Sequence, residues 1–335
     1  MVERKDEKIA ILTAGSMGIA IGTVFAENSD QVVFGYRSEE SCRQFLNTRI
    51  DVRFPGIELP DNISATTDLY TLVAEAGLIV VATRARYLRS FFSQFIPIMR
   101  PGANILHVIK GFDSETNQRI SEILINEDPS LSNRIAVLSG PNYAHEIVKR
   151  KYTVTVIAST DQSFAKCLQT KLHAPWFRPY ISDDMVGVEL GGALKNPVAM
   201  AVGIVEGMKL GANASAAMQT RGLYEMIKLA VALGANEKTF TGFAGYGDLS
   251  LSCKPPGRNY LAGHQIGQGV QPTSLLESGV TIEGFDSVRS AVELARLHKV
   301  DVPILEALRD ILYHGLTLDE AGERLMSRNL ANEGF

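Results

Sequence analysis

The sequence has few cysteines, a single tryptophan and no excess of positive charge. Its 335 residues include three widely separated cysteines, Cys42, Cys167 and Cys253. They offer neither a disulfide framework nor a Cys-x-x-Cys metal motif, so we expect a reducing, cytoplasmic compartment. The 33 basic and 37 acidic residues give a net charge of −4. This balance excludes a global basic surface for nucleic acid or an anionic membrane, so any anion site must be local.

Metal-ligand spacing and a convincing membrane segment are also missing. The six histidines show no i,i+4 pair, and we predict no metal. Ile9–Ala26 is uncharged, but the charges before it are mixed, unlike a signal peptide. Gly15, Ser16 and Gly18 within the run instead predict a strand, a turn and a helix. We read the apolar stretch Pro197–Gly207 as a core helix.

The first half of the chain alternates short apolar runs with helical patterns. Strands separated by helices indicate a parallel, doubly wound sheet of the α/β class. The predicted strands are Lys8–Leu12, Gln31–Tyr36, Leu78–Ala82, Asn104–Val108, Ile135–Leu138 and Thr153–Ala158.

The second half loses this alternation. From about Asp183 onward, Ala, Leu, Met and Val recur at helical spacing, with a long helical stretch over Val186–Leu233. The sequence therefore predicts two domains, an α/β domain over residues 1–182 and an all-α domain over residues 183–335.

A glycine turn follows the first predicted strand. In the fingerprint G-x-G-x-x-G, the glycines permit a tight turn and a close approach of backbone to a pyrophosphate. Here Gly15 and Gly18 occupy the second and third positions and Thr13 occupies the first. Because a helix begins at once, its first amides are placed to bind an anion. We therefore predict a dinucleotide at Gly15, Ser16, Met17 and Gly18.

The second strand ends without the acidic residue that binds the ribose 2′-hydroxyl of NAD. Arg37 stands there, and an arginine can pair with the 2′-phosphate of NADP. Arg84 and Arg86 follow the next long apolar strand, near the expected cofactor path, and can add anion contacts. NADP(H) is favoured as cofactor, and NAD(H) remains possible.

Four short segments carry polar side chains at predicted strand ends or helix boundaries. They are Ile109-Lys110-Gly111, Ser139–Ala144, Glu189–Asn196, and Gly245–Leu249 with its continuation to Gly257-Arg258-Asn259. Each has a plain structural alternative, such as a solvated surface lysine at Lys110 or a turn residue at Asp248.

With these segments the sequence resembles the NAD(P)-dependent glycerol-3-phosphate dehydrogenase family. The matching stretches cover about Ile9 to Met326 and read LSGPNYAHE, VGVELGGALKNPVA, GYGDLSLSC, GRN and IEG. The resemblance implies a Rossmann-type sheet domain with an all-α domain, as in 6-phosphogluconate dehydrogenase-like folds. It also implies reversible reduction of dihydroxyacetone phosphate to sn-glycerol 3-phosphate, a precursor of phospholipids, and a possible homodimer.

The resemblance also implies roles for individual residues. Lys195 would exchange the proton at the C2 oxygen, with Asp248 and Lys110 in the same polar cluster. The implied substrate-binding set adds Gly140, Asn142, Asn196, Gly257, Arg258 and Asn259. The implied nucleotide contacts, besides the glycine turn and Arg37, are Lys110, Ala144, Arg258 and Glu283.

General chemistry agrees with a lysine in this role. A lysine side chain, with an ordinary pKa of about 10.4, can donate a proton to a carbonyl oxygen at neutral pH. An arginine suits the substrate phosphate, because its planar fork matches phosphate oxygens. Two alternatives stay open: a dehydrogenase of a related phosphorylated or acidic hydroxy or acyl substrate, and a non-catalytic NADP-binding sensor of the same fold.

Overall fold

The protein is described by a computed structural model covering residues 7–12, 15–29, 31–277 and 282–329. Its internal contacts divide the chain into two compact units. The first unit runs to Lys110 and resumes over Ile120–Val188; the second comprises Gly111–Arg119 and the chain from Glu189 onward. The predicted domain boundary at residues 182 and 183 stays a prediction.

A single sheet forms the core of the first unit. Its strand order, β3-β2-β1-β4-β5-β6-β7-β8, reverses direction at β1, as in a doubly wound fold. In the described residues the strands are β1 (Ile9–Leu12), β2 (Val32–Gly35), β3 (Ile63–Thr66), β4 (Leu78–Val81), β5 (Asn104–His107), β6 (Ile135–Ser139), β7 (Thr153–Ser159) and β8 (Phe177–Ser182).

The parallel sheet predicted from the sequence is confirmed, except that it has two further strands and one antiparallel pair. The strands β3 and β8 at the two edges were not predicted. β6 and β7 pair antiparallel, while every other neighbouring pair among the described strands is parallel. β1 and β4 are buried at every position, which explains their unbroken apolar sequences.

Helices connect the strands of the first unit. Over the described residues they are α1 (Ser16–Phe25), α2 (Glu39–Thr48), α3 (Leu69–Glu75), α4 (Ala85–Phe92), α5 (Ile120–Glu127), α6 (Ala144–Val148) and α7 (Gln162–Lys171). The uncharged run at the start of the chain is thus a strand and a helix, as predicted. Gly22 on α1 allows close packing, because a Cβ there would overlap the ring of Phe34 on β2.

The second unit is helical, as predicted. Its described helices are α8 (Met185–Gly207, entering from the first unit), α9 (Ala212–Ala232), α10 (Asp248–Ser252), α11 (Arg258–Gly267), α12 (Pro272–Glu277), α13 (Glu283–Leu297), α14 (Pro303–Tyr313) and α15 (Leu318–Met326). Within the described part of the chain, α8 alone is long and apolar enough to cross a membrane. Its apolar window is wholly buried inside the protein, which is typical of a core helix.

Helices α8 and α11 approach each other at backbone distance. A Cβ on Gly203 would overlap the carbonyl oxygen of Tyr260, and a Cβ on Gly263 would overlap that of Met200. Any larger residue at these positions would force the two helices apart. The glycines therefore place the start of α11 beside the middle of α8, where several predicted site residues lie.

Candidate functional site

Lys195 is the buried cation of the second unit. It lies on α8 and is 8% exposed, while Asp248 at the start of α10 is fully buried. Its Nζ donates to Asp248 Oδ1 at 2.5 Å and to Ser252 Oγ at 2.7 Å. A buried ammonium needs such a partner, because desolvation of an unpaired charge is costly. The structure thus brings two predicted catalytic residues into direct contact.

Local glycines explain how Asp248 reaches Lys195. Phe243–Gly247 forms one turn of π-helix directly before α10. A Cβ on Gly191, one helical turn before Lys195, would lie 2.5 Å from the carbonyl oxygen of Ala244. Because Gly191 has no side chain, this turn packs onto α8 and delivers Asp248 to the lysine.

The next residue, Asn196, belongs to a second hydrogen-bonded group. The backbone N–H of Gly284 donates to Asn259 Oδ1 at 2.8 Å, and Asn259 Nδ2 donates to Asn196 Oδ1 at 2.9 Å. These bonds fix the orientation of both amides. Among the described residues Asn196 Nδ2 is buried and has no hydrogen-bond acceptor, which leaves a donor available to a ligand.

Arg258 begins α11 beside this amide chain. Its side chain is 60% exposed, and its Nη2 lies 3.7 Å from Glu283 Oε1. Gly257 precedes it, where a Cβ would lie 2.6 Å from the carbonyl oxygen of Ser252. A guanidinium, two amides and the first N–H groups of a helix form a setting suited to an anion. The nucleotide contact predicted for Glu283 stays a prediction.

Lys110 belongs to the first unit, where it follows β5. Its Nζ donates to the carbonyl oxygen of Gly140 at 3.0 Å. Gly140 has φ +143°, and a Cβ there would lie 3.2 Å from the backbone of Thr155. The turn after β6 therefore requires glycine. The carbonyl group of Gly140 holds the lysine that was predicted to act in the reaction.

Asn142 and Ala144 extend the same turn. Asn142 Nδ2 donates to the carbonyl oxygen of Val154, and its Oδ1 accepts the hydroxyl proton of Thr155 at 3.0 Å. The side chain therefore joins the turn to β7. Ala144 begins α6, which packs against α1. The ligand contacts predicted for both residues stay predictions.

A cavity of about 490 Å³ opens in the first unit at the carboxyl ends of β1, β2 and β4. This is where the strand order reverses, the position at which doubly wound sheets bind nucleotides. Three guanidinium groups lie in its wall. The full lining is Gly15, Tyr36, Arg37, Ser38, Ser41, Arg53, Ala82, Thr83, Arg84 and Tyr87.

The arginines of this region are held in different ways. Arg37 lies 4.7 Å from the ring centroid of Phe91, and Arg86 lies 4.8 Å from that of Tyr87. Arg53 forms an ion pair with buried Asp51 at 2.9 Å. Arg37 and Arg84 thus line the cavity, in keeping with the anion contacts predicted for them, whereas Arg86 stacks on a neighbouring tyrosine.

The predicted glycine turn is described in part. Gly15 precedes α1, and its carbonyl group accepts the N–H of Ile19 at 2.9 Å. Ser16, Met17 and Gly18 form the first turn of α1. Thr13, the predicted departure from the glycine fingerprint, lies outside the described residues. The cavity, the helix start and the arginines fit the phosphate-bearing end of a dinucleotide.

Sequence reasoning missed Ser252 and Arg53. Ser252 lies four residues after Asp248, a spacing that puts both on one helix face and was readable once Asp248 was chosen. Arg53 follows α2 in a loop and resembles an ordinary surface arginine. Cys253 is buried, and burial raises the pKa of its thiol to about 12, against a lowering by Lys195. The thiol therefore stays protonated and packed, and is a poor nucleophile.

Comparisons with known proteins point to one family over both halves of the chain. The model of the NAD-dependent glycerol-3-phosphate dehydrogenase N-terminus matches residues 8–165, and that of the C-terminus matches residues 184–323. The chain is 41% identical to the glycerol-3-phosphate dehydrogenase (NAD(P)+) of Thermobifida fusca (strain YX), over 98% of this chain and 99% of that protein. It is 39% identical to the same-named protein of Streptomyces coelicolor, with coverages of 98% and 99%.

A solved structure agrees as well. The glycerol-3-phosphate dehydrogenase of Coxiella burnetii superposes with a TM-score of 0.89 at 32% identity, covering 96% of this chain and 99% of that chain. The doubly wound sheet of the first unit, together with these family and sequence matches, makes the protein a Rossmann-type, NAD(P)-dependent oxidoreductase. With full-length matches at about 40% identity, the chain belongs to the NAD-dependent glycerol-3-phosphate dehydrogenase family.

Proposed function

We propose that the protein reduces dihydroxyacetone phosphate to sn-glycerol 3-phosphate with NADPH, reversibly, and supplies precursors of phospholipids. The observation that carries the proposal is the position of Lys195 Nζ, held by Asp248 and Ser252, with the available donor of Asn196 on the next residue. This arrangement combines a proton donor with a site for a polar, anionic substrate.

Lys195 donates its proton to the C2 oxygen of the ketone. Asp248 and Ser252 fix Nζ, so the donor is oriented before the substrate arrives. NADPH, when bound, supplies the hydride that reduces C2. The oxygen then carries the proton from Nζ as a hydroxyl group, and the neutral lysine recovers a proton from water. In the reverse direction the neutral lysine accepts the hydroxyl proton.

The phosphate binds at the start of α11 in this proposal. Arg258 supplies charge and a planar fork, while Asn196 Nδ2 supplies a fixed donor. Asn259 orients Asn196 through the 2.9 Å bond between their amides. Gly257 keeps the turn before Arg258 narrow. Lys110, Gly140 and Asn142 remain proposed substrate-binding residues of the first unit.

The cofactor binds in the cavity of the first unit. Gly15, Ser16, Met17 and Gly18 approach its pyrophosphate, and Arg37 pairs with the 2′-phosphate that distinguishes NADP from NAD. The guanidinium groups around the cavity support a preference for NADP(H). Lys110, Ala144, Arg258 and Glu283 complete the proposed nucleotide contacts.

Product formation tests the proposal. Purified protein is incubated with NADPH and dihydroxyacetone phosphate, loss of NADPH absorbance is followed, and the product is identified by mass spectrometry and a stereospecific assay. We expect stoichiometric sn-glycerol 3-phosphate. Unphosphorylated dihydroxyacetone is the matched control, and we expect at least a hundredfold lower kcat/KM because the charge-assisted phosphate contacts are lost.

Other outcomes identify the alternatives. Oxidation of NADPH by a different phosphorylated or acidic carbonyl compound, without activity on dihydroxyacetone phosphate, would indicate a related dehydrogenase. Tight NADPH binding without turnover of any such compound would indicate a sensor.

We also propose a cytoplasmic location, a homodimer and a functional domain boundary at residues 182 and 183. The dimer is supported by family membership, and its test is the mass measured by size-exclusion chromatography with light scattering. A monomeric mass at micromolar concentration would contradict it.

A further inference from the structure

The loop after α2 contributes an unexpected cation to the nucleotide cavity. Arg53 lines the cavity together with Arg37 and Arg84, although it does not follow a strand of the sheet. Its side chain is 35% exposed, so one part is anchored while another reaches solvent. Its role rests on the proposed NADP-binding function and makes the cofactor choice more specific.

The buried carboxylate of Asp51 anchors Arg53. This carboxylate is 2% exposed and accepts bonds from the guanidinium Nη1, at 3.0 and 2.9 Å to the two oxygens, and from the Arg53 backbone N–H at 2.8 Å. Tyr36 donates its hydroxyl proton to Asp51 Oδ2 at 2.8 Å. Burial and this hydrogen bond raise the pKa of Tyr36, so its hydroxyl remains a donor at any physiological pH.

The anchor leaves part of the guanidinium group for a ligand. The contacts within the described residues engage Nη1, while Nη2 and Nε of the same planar group have no bond to Asp51. An arginine fixed on one edge by a carboxylate can therefore bind an anion with its other edge. Because the side chain is already ordered, binding costs less conformational entropy.

The other polar groups of the cavity favour the same ligand. Arg37 is held against Phe91, and Ser38 caps the start of α2, its hydroxyl oxygen accepting the N–H of Ser41 at 3.2 Å. The buried charge of Asp51 is balanced by Arg53, so Arg37 and Arg84 leave the cavity positive. NADH carries the same pyrophosphate as NADPH but has only a hydroxyl group in place of the 2′-phosphate, so this charge favours NADPH over NADH.

We propose that Arg53 is a specificity-determining residue that binds the 2′-phosphate of NADP(H) opposite Arg37, and that Asp51 is its positioning residue. The pairing is a second determinant of cofactor choice, independent of the residue at the end of β2. It predicts that the NADPH preference survives in part when Arg37 alone is replaced.

Direct binding measurements test this inference without turnover. Affinities for NADPH, NADH, 2′,5′-ADP and 5′-AMP are measured by calorimetry for wild type, Arg53→Gln, Arg53→Lys and Asp51→Asn. Arg43, an exposed arginine on α2 outside the cavity lining, gives the matched control Arg43→Gln. We expect Arg53→Gln to weaken NADPH and 2′,5′-ADP roughly tenfold while NADH and 5′-AMP change less than twofold.

The variants separate charge from position. Arg53→Lys keeps the charge without the fork and should recover only part of the lost affinity. Asp51→Asn should weaken 2′,5′-ADP by several-fold although it removes a negative charge near the phosphate, an effect that simple electrostatics would reverse. If either single variant is unstable, the paired variant Asp51→Asn with Arg53→Gln removes both charges, and unchanged NADH affinity verifies its fold.

Three results would overturn the inference: equal losses for NADPH and NADH, an unchanged 2′,5′-ADP affinity in Arg53→Gln, or an equal loss in Arg43→Gln. The outcome is independent of substrate turnover. Selective loss of 2′,5′-ADP binding in a protein that does not reduce dihydroxyacetone phosphate would support this inference and contradict the proposed reaction. Normal reduction of dihydroxyacetone phosphate, with unchanged cofactor selectivity in Arg53→Gln, would support the proposed reaction and contradict this inference.

Discussion

The two units hold their functional cations in opposite ways. In the second unit Lys195 is 8% exposed and bonded to a fully buried carboxylate, whereas in the first unit Arg37 stands at the surface of an open cavity. In the proposed function, the buried, partnered lysine is a fixed proton donor, so its loss should nearly abolish turnover. The exposed arginine is proposed to select between cofactors, so its loss should change a preference instead of stopping turnover. We therefore expect substitutions in the two units to have effects on activity that differ in kind as well as in size.

The largest expected effect comes from Lys195→Ala. Without the proton donor, kcat for dihydroxyacetone phosphate should fall about 10³-fold, the scale of general acid catalysis. The NADPH affinity measured by fluorescence should remain within twofold. Lys166→Ala, at an exposed position on α7, is the control and should keep full activity. Undiminished turnover in Lys195→Ala would remove the proposed proton donor.

Asp248→Asn should have the next largest effect. The change leaves Lys195 Nζ near a neutral amide, so the ammonium loses its buried partner while the hydrogen bond to Ser252 remains possible. We expect kcat to fall about 10²-fold and unfolding free energy to drop by about 3 kcal/mol. Steady-state kinetics and thermal denaturation measure the two effects. A variant with wild-type kcat and wild-type stability would contradict a functional pair.

Arg37→Asp should change a preference instead of a rate. A carboxylate can accept a bond from the 2′-hydroxyl of NADH and repels the 2′-phosphate of NADPH. We expect the ratio of kcat/KM for NADPH over NADH to fall at least tenfold, with little change in kcat for NADH. The charge-neutral variant Arg37→Gln should give a ratio between those of the wild type and Arg37→Asp. An unchanged ratio would disprove the 2′-phosphate contact at Arg37.

The smallest effect on turnover is expected at Glu225, which lies in neither site. Its buried carboxylate accepts the N–H groups of Ile304 and Leu305 at the start of α14, and burial raises its pKa to about 7. Because the unfolded chain releases this proton near pH 4.5, the folded state binds more protons between pH 4.5 and 7. Stability from this group therefore decreases as pH rises through that window, by about 3 kcal/mol.

Denaturant unfolding at several pH values checks the direction. The wild type should lose stability relative to Glu225→Gln between pH 4.5 and 7, with parallel curves above pH 8. Glu237→Gln, at an exposed position, is the control and should follow the wild type throughout. A wild-type curve parallel to that of Glu225→Gln across the whole range would contradict the assignment.

Much of the fold was predictable because hydrophobic burial leaves a direct signal. β1 and β4 are buried along their full length and appear as apolar runs between helices. The edge strands β3 and β8 were missed because their exposed residues are polar or alternate with buried ones. Strand direction is set by the connection in space, so the antiparallel pairing of β6 and β7 left no local mark.

The candidate site was predictable where a family pattern covers it. Lys195 and Asp248 lie 53 positions apart, and their contact depends on how the glycines of α8 and the π-turn pack. Arg53 had no such pattern. Its proposed role rests on the buried Asp51 beside it, and burial of a single aspartate in a loop cannot be read from neighbouring residues.

The most direct test of the two-unit account is the initial rate of NADPH and NADH oxidation by the wild-type protein with dihydroxyacetone phosphate. The account predicts rapid oxidation that requires the phosphorylated substrate, with a higher kcat/KM for NADPH than for NADH. Clear NADPH binding with no oxidation in the presence of dihydroxyacetone phosphate would contradict it, because the buried lysine would then hold no substrate of this kind.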